Sequence, residues 1–542
     1  MEFMDGHTKA SLDFQYILNR INIKTPYGKI YKDKMRPFFR GEEEKLIEEL
    51  EKVATYANYA KNKRFMGEIN NILHGIKDLR ISINRARDGG ILSEIELFEI
   101  KNFLFLIRDL KEYLTASQVF LWKDMTIEPI ESLEKLLDPE STGISTFYIY
   151  DAYSEELKSI REEKREAERR IKREKNNLKE KIEKELDIKL NPDGSIIIPK
   201  DKGEVIEKLE NYPHLNYVSE TYMNIRYSLK ATDTITLLER KVLILKDKEE
   251  KEEMEIRKYL SKEIGKKSKA LYKNISSIGK IDFILGKASF GLEIDGIKPH
   301  IIKEHSITIV EGRHPKVEES LKKIGLAYTP ISLELKEGVT CITGANMGGK
   351  TVSLKLVGLL TSMAQHGLLV PAKEMTLGLS NFIKASIGDF QSTDKGLSTF
   401  GGEIKLIQEA IEISENKGLI LIDELASGTN PEEGYAISRA VVEYLLDKNS
   451  ITLLTTHYDN IGNMDKVVHL QVIGLSHMEL DELKLELKKI QPEKINLINR
   501  LMDYRLRTVD KTKPVPKDAL NIARIMGLDP KIIHRAEKSL ED

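Results

Sequence analysis

The feature that most constrains this chain is an eight-residue stretch, Gly344-Ala345-Asn346-Met347-Gly348-Gly349-Lys350-Thr351. It fits the pattern G-x-x-x-x-G-K-[ST]. A strand-like run (VTCIT, 339–343) precedes it and a helix-like run (VSLKLVGLL, 352–360) follows. A strand feeding a glycine-rich turn and then a helix leaves free backbone N–H groups around an anion. The helix N-terminus adds its partial positive charge. In such a turn Lys350 reaches β- and γ-phosphates, and the Thr351 hydroxyl is a ligand for Mg2+. The bland alternative is a strand–helix turn that binds nothing.

Three further segments argue against that alternative. Residues 418–424 (GLILIDE) read as a buried strand ending in two carboxylates, and four consecutive apolar residues suit a central parallel strand. Asp423 falls where a Mg2+-bound water would sit, and Glu424 is placed to orient and polarise an attacking water. Residues 451–458 (ITLLTTHY) form another buried strand with a polar end, where His457 is positioned to sense a γ-phosphate. A lone strand-end histidine is otherwise a satisfied structural residue. Residues 396–403 (GLSTFGGE) form a glycine-flanked loop opening a helix over 404–413. Its Ser398 hydroxyl suits a phosphate or an ordinary helix cap, and spacing alone gives it no site within its own subunit.

The motifs EGRHP (311–315), ITGANMGGKT (342–351), GDFQSTDKGLSTF (388–400), LILIDELASGTNP (419–431) and TTHY (455–458) resemble the ATPase domain of the MutS family, a branch of the ABC-type ATPases. The resemblance implies ATP and Mg2+ as cofactors. Gly344, Ala345, Asn346, Met347, Gly348, Gly349, Lys350, Thr351 and Val352 would surround the nucleotide, and Thr351 and Asp423 would hold the metal. Lys350, Glu424 and His457 would be catalytic. It further implies a homodimer with composite sites, in which Ser398 of one subunit closes on the γ-phosphate held by the other. Lys350-Thr351-Val352 and the context of Asp423-Glu424-Leu425 lean towards the second bacterial MutS lineage. Ala345 replaces the usual proline, which changes loop stiffness but removes no ligand.

Composition bounds the partners. Lys plus Arg number 85 and Asp plus Glu 87, so a net charge of −2 gives no global pull towards polyanions, and DNA binding needs a local patch. The single cysteine, Cys341, excludes a disulfide framework and fits a reducing cytoplasm. No secretory leader is evident and no run of about 18 apolar residues predicts a membrane span.

The N-terminal pattern is helical, with Thr25-Pro26-Tyr27-Gly28 as punctuation, helices over 45–60 and 69–87, and a capping-box spacing from Ser93 to Glu96. Two long charged helices, 154–186 and 233–264, carry thin apolar seams near heptad spacing. They bracket an insert with a turn signal at Asn191-Pro192-Asp193-Gly194 and strand-like residues 195–198. An antiparallel coiled-coil arm follows from this arrangement.

The resemblance then divides the chain into a helical core (1–153), a coiled-coil lever and clamp (154–265), a return to the core (266–305), the ATPase domain (306–475) and a C-terminal helical dimerisation segment (476–542). The fold class is therefore multidomain α and α/β, a helical core and arm joined to an ABC-type P-loop domain with a parallel sheet. Lys200, Lys202, Arg226 and Lys230 are candidate DNA-phosphate contacts, although for any one of them an ordinary solvated surface charge is the favoured reading. The mismatch-reading domain of repair MutS proteins and the Smr nuclease domain of the second lineage are not expected. Two functions of different class follow: an ATP-gated DNA clamp on mismatched, branched or recombining DNA, or a protein-remodelling ATPase resembling the reactivating factors of B12-dependent aminomutases.

Overall fold

The computed structural model describes residues 2–344, 349–388, 399–426, 429–474, 503–509, 520, 523 and 528–541. They form two compact units, one of Gly75–Ser277 and one of Met1–His74 with Ile278–Asp542. Among the described residues no helix is long and apolar enough to cross a membrane.

In the first of these units, Ser93 caps the helix Glu94–Ala116 in a reciprocal capping box with Glu96, as the spacing predicts. The stretch expected as one helix over 69–87 is two, Lys63–His74 and Arg80–Arg87. Gly75 follows the first, and the Asp78 carboxylate accepts from Arg80 N at 3.2 Å to start the second.

The long helices Glu155–Leu186 and Asp233–Lys266 start at hydroxyl caps, Ser154 and Thr232. They run antiparallel: Arg161 meets Glu249 and Glu253, while Lys175 meets Glu239. Leu157, Ile160 and Ala167 face the seam from one helix, and Leu245, Ile256 and Leu260 are buried on the other. Between them lies an antiparallel sheet of β1 (Ser195–Pro199), β2 (Leu215–Glu220) and β3 (Asn224–Leu229), with β3 in the middle. The predicted turn is present, with Gly194 at φ 76 donating to Asn191 O.

The second unit holds two sheets. The smaller joins β4 (His300–Ile302), β5 (Ser306–Gly312), β6 (Ile331–Lys336) and β8 (Glu374–Gly378) in the order β4-β8-β5-β6. The larger joins β7 (Gly338–Thr343), β9 (Ile383–Ser386), β10 (Leu419–Ile422), β11 (Ile451–Thr455), β12 (Val468–Gly474) and β13 (Asp503–Thr508) in the order β13-β12-β7-β11-β10-β9. Its strands pair in parallel except β13, which runs antiparallel to β12. Every residue of β7, β10 and β11 is buried, because a parallel strand between helical layers has no solvated face.

The N-terminus completes this core. Ile383 N donates to Phe3 O at 2.7 Å and Ala385 N to Thr8 Oγ1 at 3.2 Å, so the first residues cover the outer edge of β9. The Thr25-Pro26 punctuation proves to be a helix start: Thr25 caps Pro26–Asp33, and the buried Asp282 carboxylate accepts from both its amide and its hydroxyl.

The helix Lys350–Gln365 is buried almost all round. At its end His366 is buried, with its ring 4.7 Å from Phe14, and burial holds its pKa down at about 4. Burial lowers His305 and His314 to about 4 as well. The ordinary histidine value is near 6.5, so the unfolded chain takes up protons that the fold refuses. Stability is present above pH 6.5 and is lost as pH falls from there towards 4. The melting temperature should therefore drop between pH 7 and pH 5. His366→Gln should lose about 2–4 °C less than the wild type over that interval. Equal losses in the two proteins would contradict the account.

Candidate functional site

The strands β7, β11 and β10 are neighbours in the sheet, so their C-terminal ends open on one edge. That edge is where parallel α/β sheets bind ligands. Beyond β7 the chain turns at Gly344, φ 128, and starts the helix Lys350–Gln365 from Gly349, φ 77. Both are left-handed positions that favour glycine, and a Cβ at Gly349 would press on the Tyr504 ring at 3.0 Å. The first-turn amides of the helix are thus presented at the sheet edge.

Lys350, the first helical residue, is buried, with Nζ 2.8 Å from Gly344 O and 3.5 Å from His457 Nδ1. The Thr351 hydroxyl donates to Asp423 Oδ2 at 2.7 Å. Asp423 follows β10, and its second oxygen accepts from Thr455 Oγ1, also at 2.7 Å. Thr455 ends β11 and its hydroxyl accepts from Glu424 N at 2.8 Å. Beyond it His457 Nε2 lies 3.1 Å from Glu424 Oε1. Five residues expected at the site from separate motifs, Lys350, Thr351, Asp423, Glu424 and His457, therefore lie in one hydrogen-bonded cluster. Gly344 and Gly349 frame it. Ala345, Asn346, Met347, Gly348 and Ser398 lie outside the described residues.

The cluster has the chemistry of an anion site beside a hard-cation site. An ammonium group and helix-end amides suit phosphate oxygens. A hydroxyl and a carboxylate touching one another, Thr351 and Asp423, would offer oxygen ligands to a Mg2+ ion. These residues therefore fit the metal. A carboxylate hydrogen-bonded to histidine, Glu424 with His457, lies at the same edge and has the chemical type of a general base.

Two features escape sequence reading. Thr455 reads as a polar strand end, yet it joins Asp423 to the backbone of Glu424. The second is an apolar cavity of about 230 Å3 beside the helix start, walled by Leu321, Leu326, Tyr328, Gly349, Val352 and Tyr504. Val352, expected beside the nucleotide, lines this cavity. The Tyr328 hydroxyl is buried. Its walls come from three distant stretches, and only the apolar run Leu326-Ala327-Tyr328 hints at them. The helix after residue 398 also starts earlier than expected, as Thr399–Glu412, because Gly401 and Gly402 sit inside it without breaking it.

The candidate DNA contacts lie in the unit with the three-stranded sheet. Lys200 pairs with Glu220 at 3.1 Å and Arg226 with Asp193 at 3.0 Å. Lys202 and Lys230 are exposed.

Residues 340–542 match the family described as MutS domain V. The chain is 28% identical over 490 residues to an endonuclease MutS2 of Geobacillus sp. (strain WCH70), a match covering 86% of this chain and 57% of the relative. It is 32% identical over 403 residues to the endonuclease MutS2 of Acetivibrio thermocellus, covering 71% and 49%. It is 33% identical over 397 residues to that of Clostridium kluyveri, again covering 71% and 49%. The chain thus spans about half the length of the curated relatives it matches. With the domain V match falling on the very strands and helix that assemble the cluster, the chain belongs to the MutS family of ATPases.

Proposed function

We propose that this chain binds ATP with Mg2+ and hydrolyses it to ADP and phosphate, using the cluster at the ends of β7, β10 and β11. One observation carries the reading. Lys350, Thr351, Asp423, Glu424 and His457, drawn from three segments, are joined through Thr455 into one hydrogen-bonded cluster. Lys350 and the helix-end amides bind the β- and γ-phosphates, and the apolar cavity beside Gly349 and Val352 takes the adenine ring. Thr351 and Asp423 hold Mg2+, which when bound neutralises charge on the phosphate oxygens. Glu424 orients water and accepts its proton as the water oxygen attacks the γ-phosphorus. The bond to the β–γ bridging oxygen then breaks and releases ADP. His457, between Lys350 and Glu424, reports the γ-phosphate to the base. Ser398 serves the second site of a homodimer, reaching the γ-phosphate held by the partner.

For what hydrolysis drives, the MutS relationship supports an ATP-gated DNA clamp acting in repair or recombination. The antiparallel helices Glu155–Leu186 and Asp233–Lys266 would be its coiled-coil lever, and the small sheet between them its grip. One observation favours the second reading, a protein-remodelling ATPase. Lys200 and Arg226, two of the four candidate phosphate contacts, are already paired with carboxylates.

Lys350→Ala should reduce nucleotide affinity by about 100-fold or more, whereas Glu424→Gln should bind ATP like the wild type and turn it over at least about 100-fold more slowly. Equilibrium binding beside steady-state hydrolysis reads both, and normal turnover by Glu424→Gln would remove that residue from the mechanism. Four-way-junction DNA should stimulate hydrolysis, with the stimulation fading steeply from about 50 to 200 mM salt. A rate indifferent to DNA at low salt would point to the protein partner instead.

A further inference from the structure

One buried acid that this mechanism leaves unused is Glu403. Its side chain is 6% exposed, on the second turn of the helix Thr399–Glu412. Burying a carboxylate is unfavourable unless something specific meets it. Here Oε1 accepts from the backbone N–H of Ala426 at 2.7 Å. Burial pushes the Glu403 acid up from its ordinary value, and the Ala426 N–H pulls it partly back.

Ala426 ends the short turn that begins with Glu424. Both residues stand in the left-handed region, Glu424 at φ 51 and Ala426 at φ 56. Non-glycine residues hold that conformation only where their surroundings impose it. Three hydrogen bonds impose it, each from a different element. Thr455 Oγ1 at the end of β11 accepts from Glu424 N at 2.8 Å. Ser438, on the helix Pro431–Leu446, donates to Leu425 O at 3.0 Å. Glu403 takes Ala426 N. The fit below is tight as well, since a Cβ on Gly434 would lie 2.7 Å from Ala426 O. The direction in which the Glu424 carboxylate leaves the backbone is set by this turn, and His457 Nε2 then holds its tip at 3.1 Å.

We propose that Glu403 is a positioning residue for ATP hydrolysis, holding the Ala426 amide so that the turn aims Glu424 at the attacking water. It touches neither nucleotide nor water and acts only through the backbone of residues 424–426. The inference rests on the proposed role of Glu424. Placement errors of about 1 Å at a reacting group lower rates by up to about 100-fold while leaving binding in place. That separates this role from a merely structural one.

The test uses the full chain with Glu403→Gln, Glu403→Asp and Glu403→Ala, measuring kcat, KM and equilibrium affinity for the slowly hydrolysed analogue ATPγS. Glutamine keeps an acceptor at the same reach and should keep at least about half of kcat. Aspartate keeps the charge but falls one methylene short. Aspartate and alanine should each lower kcat by about 10- to 100-fold with ATPγS affinity within about threefold of wild type. If the alanine variant fails to fold, the aspartate and glutamine pair carries the comparison. In single turnovers, adding Glu403→Asp to Glu424→Gln should cost nothing further, because both act through one group.

Wild-type kcat in Glu403→Asp would overturn the proposal. So would an equal loss of kcat and affinity, or a multiplicative loss in the double variant. Normal turnover by Glu424→Gln alone would instead overturn the underlying role of Glu424. A slow Glu424→Gln beside a normal Glu403→Asp would defeat only the inference about Glu403.

Discussion

Asp423 accepts a hydroxyl hydrogen on each of its oxygens, from Thr351 on one side and from Thr455 on the other, both at 2.7 Å. Those two bonds join the first turn of the helix after β7 to the ends of β10 and β11. Charge-assisted hydrogen bonds of this kind are short and directional, so three segments far apart in the chain are held to one geometry. Thr455 carries the constraint onward by accepting from Glu424 N, and His457 links the Glu424 carboxylate back towards Lys350. The arrangement depends on strand order. β11 lies between β7 and β10, so both neighbours of the strand that ends at Thr455 and leads to His457 contribute to the cluster.

That order also explains how much of the site is legible in the amino-acid sequence. The strand–turn–helix around Lys350 and the apolar runs ending at Asp423 and Thr455 are local patterns. Periodicity and turn chemistry report such patterns directly. So do the hydroxyl caps of the long helices and the Ser93–Glu96 box. What joins distant segments is not readable in this way. Thr455 looks like any polar strand end until β10 is beside it. Glu403 looks like a helix-surface acid, and its burial follows only from the turn at 424–426 packing against that helix. The cavity draws Tyr328 and Tyr504 together across a long stretch of sequence. β13 runs antiparallel at the edge of a sheet otherwise parallel, and its residues carry no local mark of that direction.

The two units divide their physical chemistry differently. The sheet-bearing unit excludes water from its centre, to the point of keeping His305, His314 and His366 neutral at ordinary pH. A rigid, dry support of this kind suits a site whose donors must be in place before charge develops. The other unit's two charged helices share a thin apolar seam flanked by ion pairs, part-buried at Arg161 and exposed at Lys175. Exposed pairs contribute little each and weaken with salt. Its helix pair therefore has much of its surface chemistry spread over solvated charges, while the candidate site gathers its polar groups at one sheet edge.

The most direct test of the central claim is calorimetric titration of the purified chain with ATPγS, with and without Mg2+, in the wild type and in Asp423→Asn. Thr351 and Asp423 as metal-holding residues predict that Mg2+ tightens binding in the wild type by about 10-fold or more, and that Asp423→Asn loses most of this gain while keeping its metal-free affinity. Absence of ATPγS binding by the wild type, or the same Mg2+ gain in both proteins, would contradict the account.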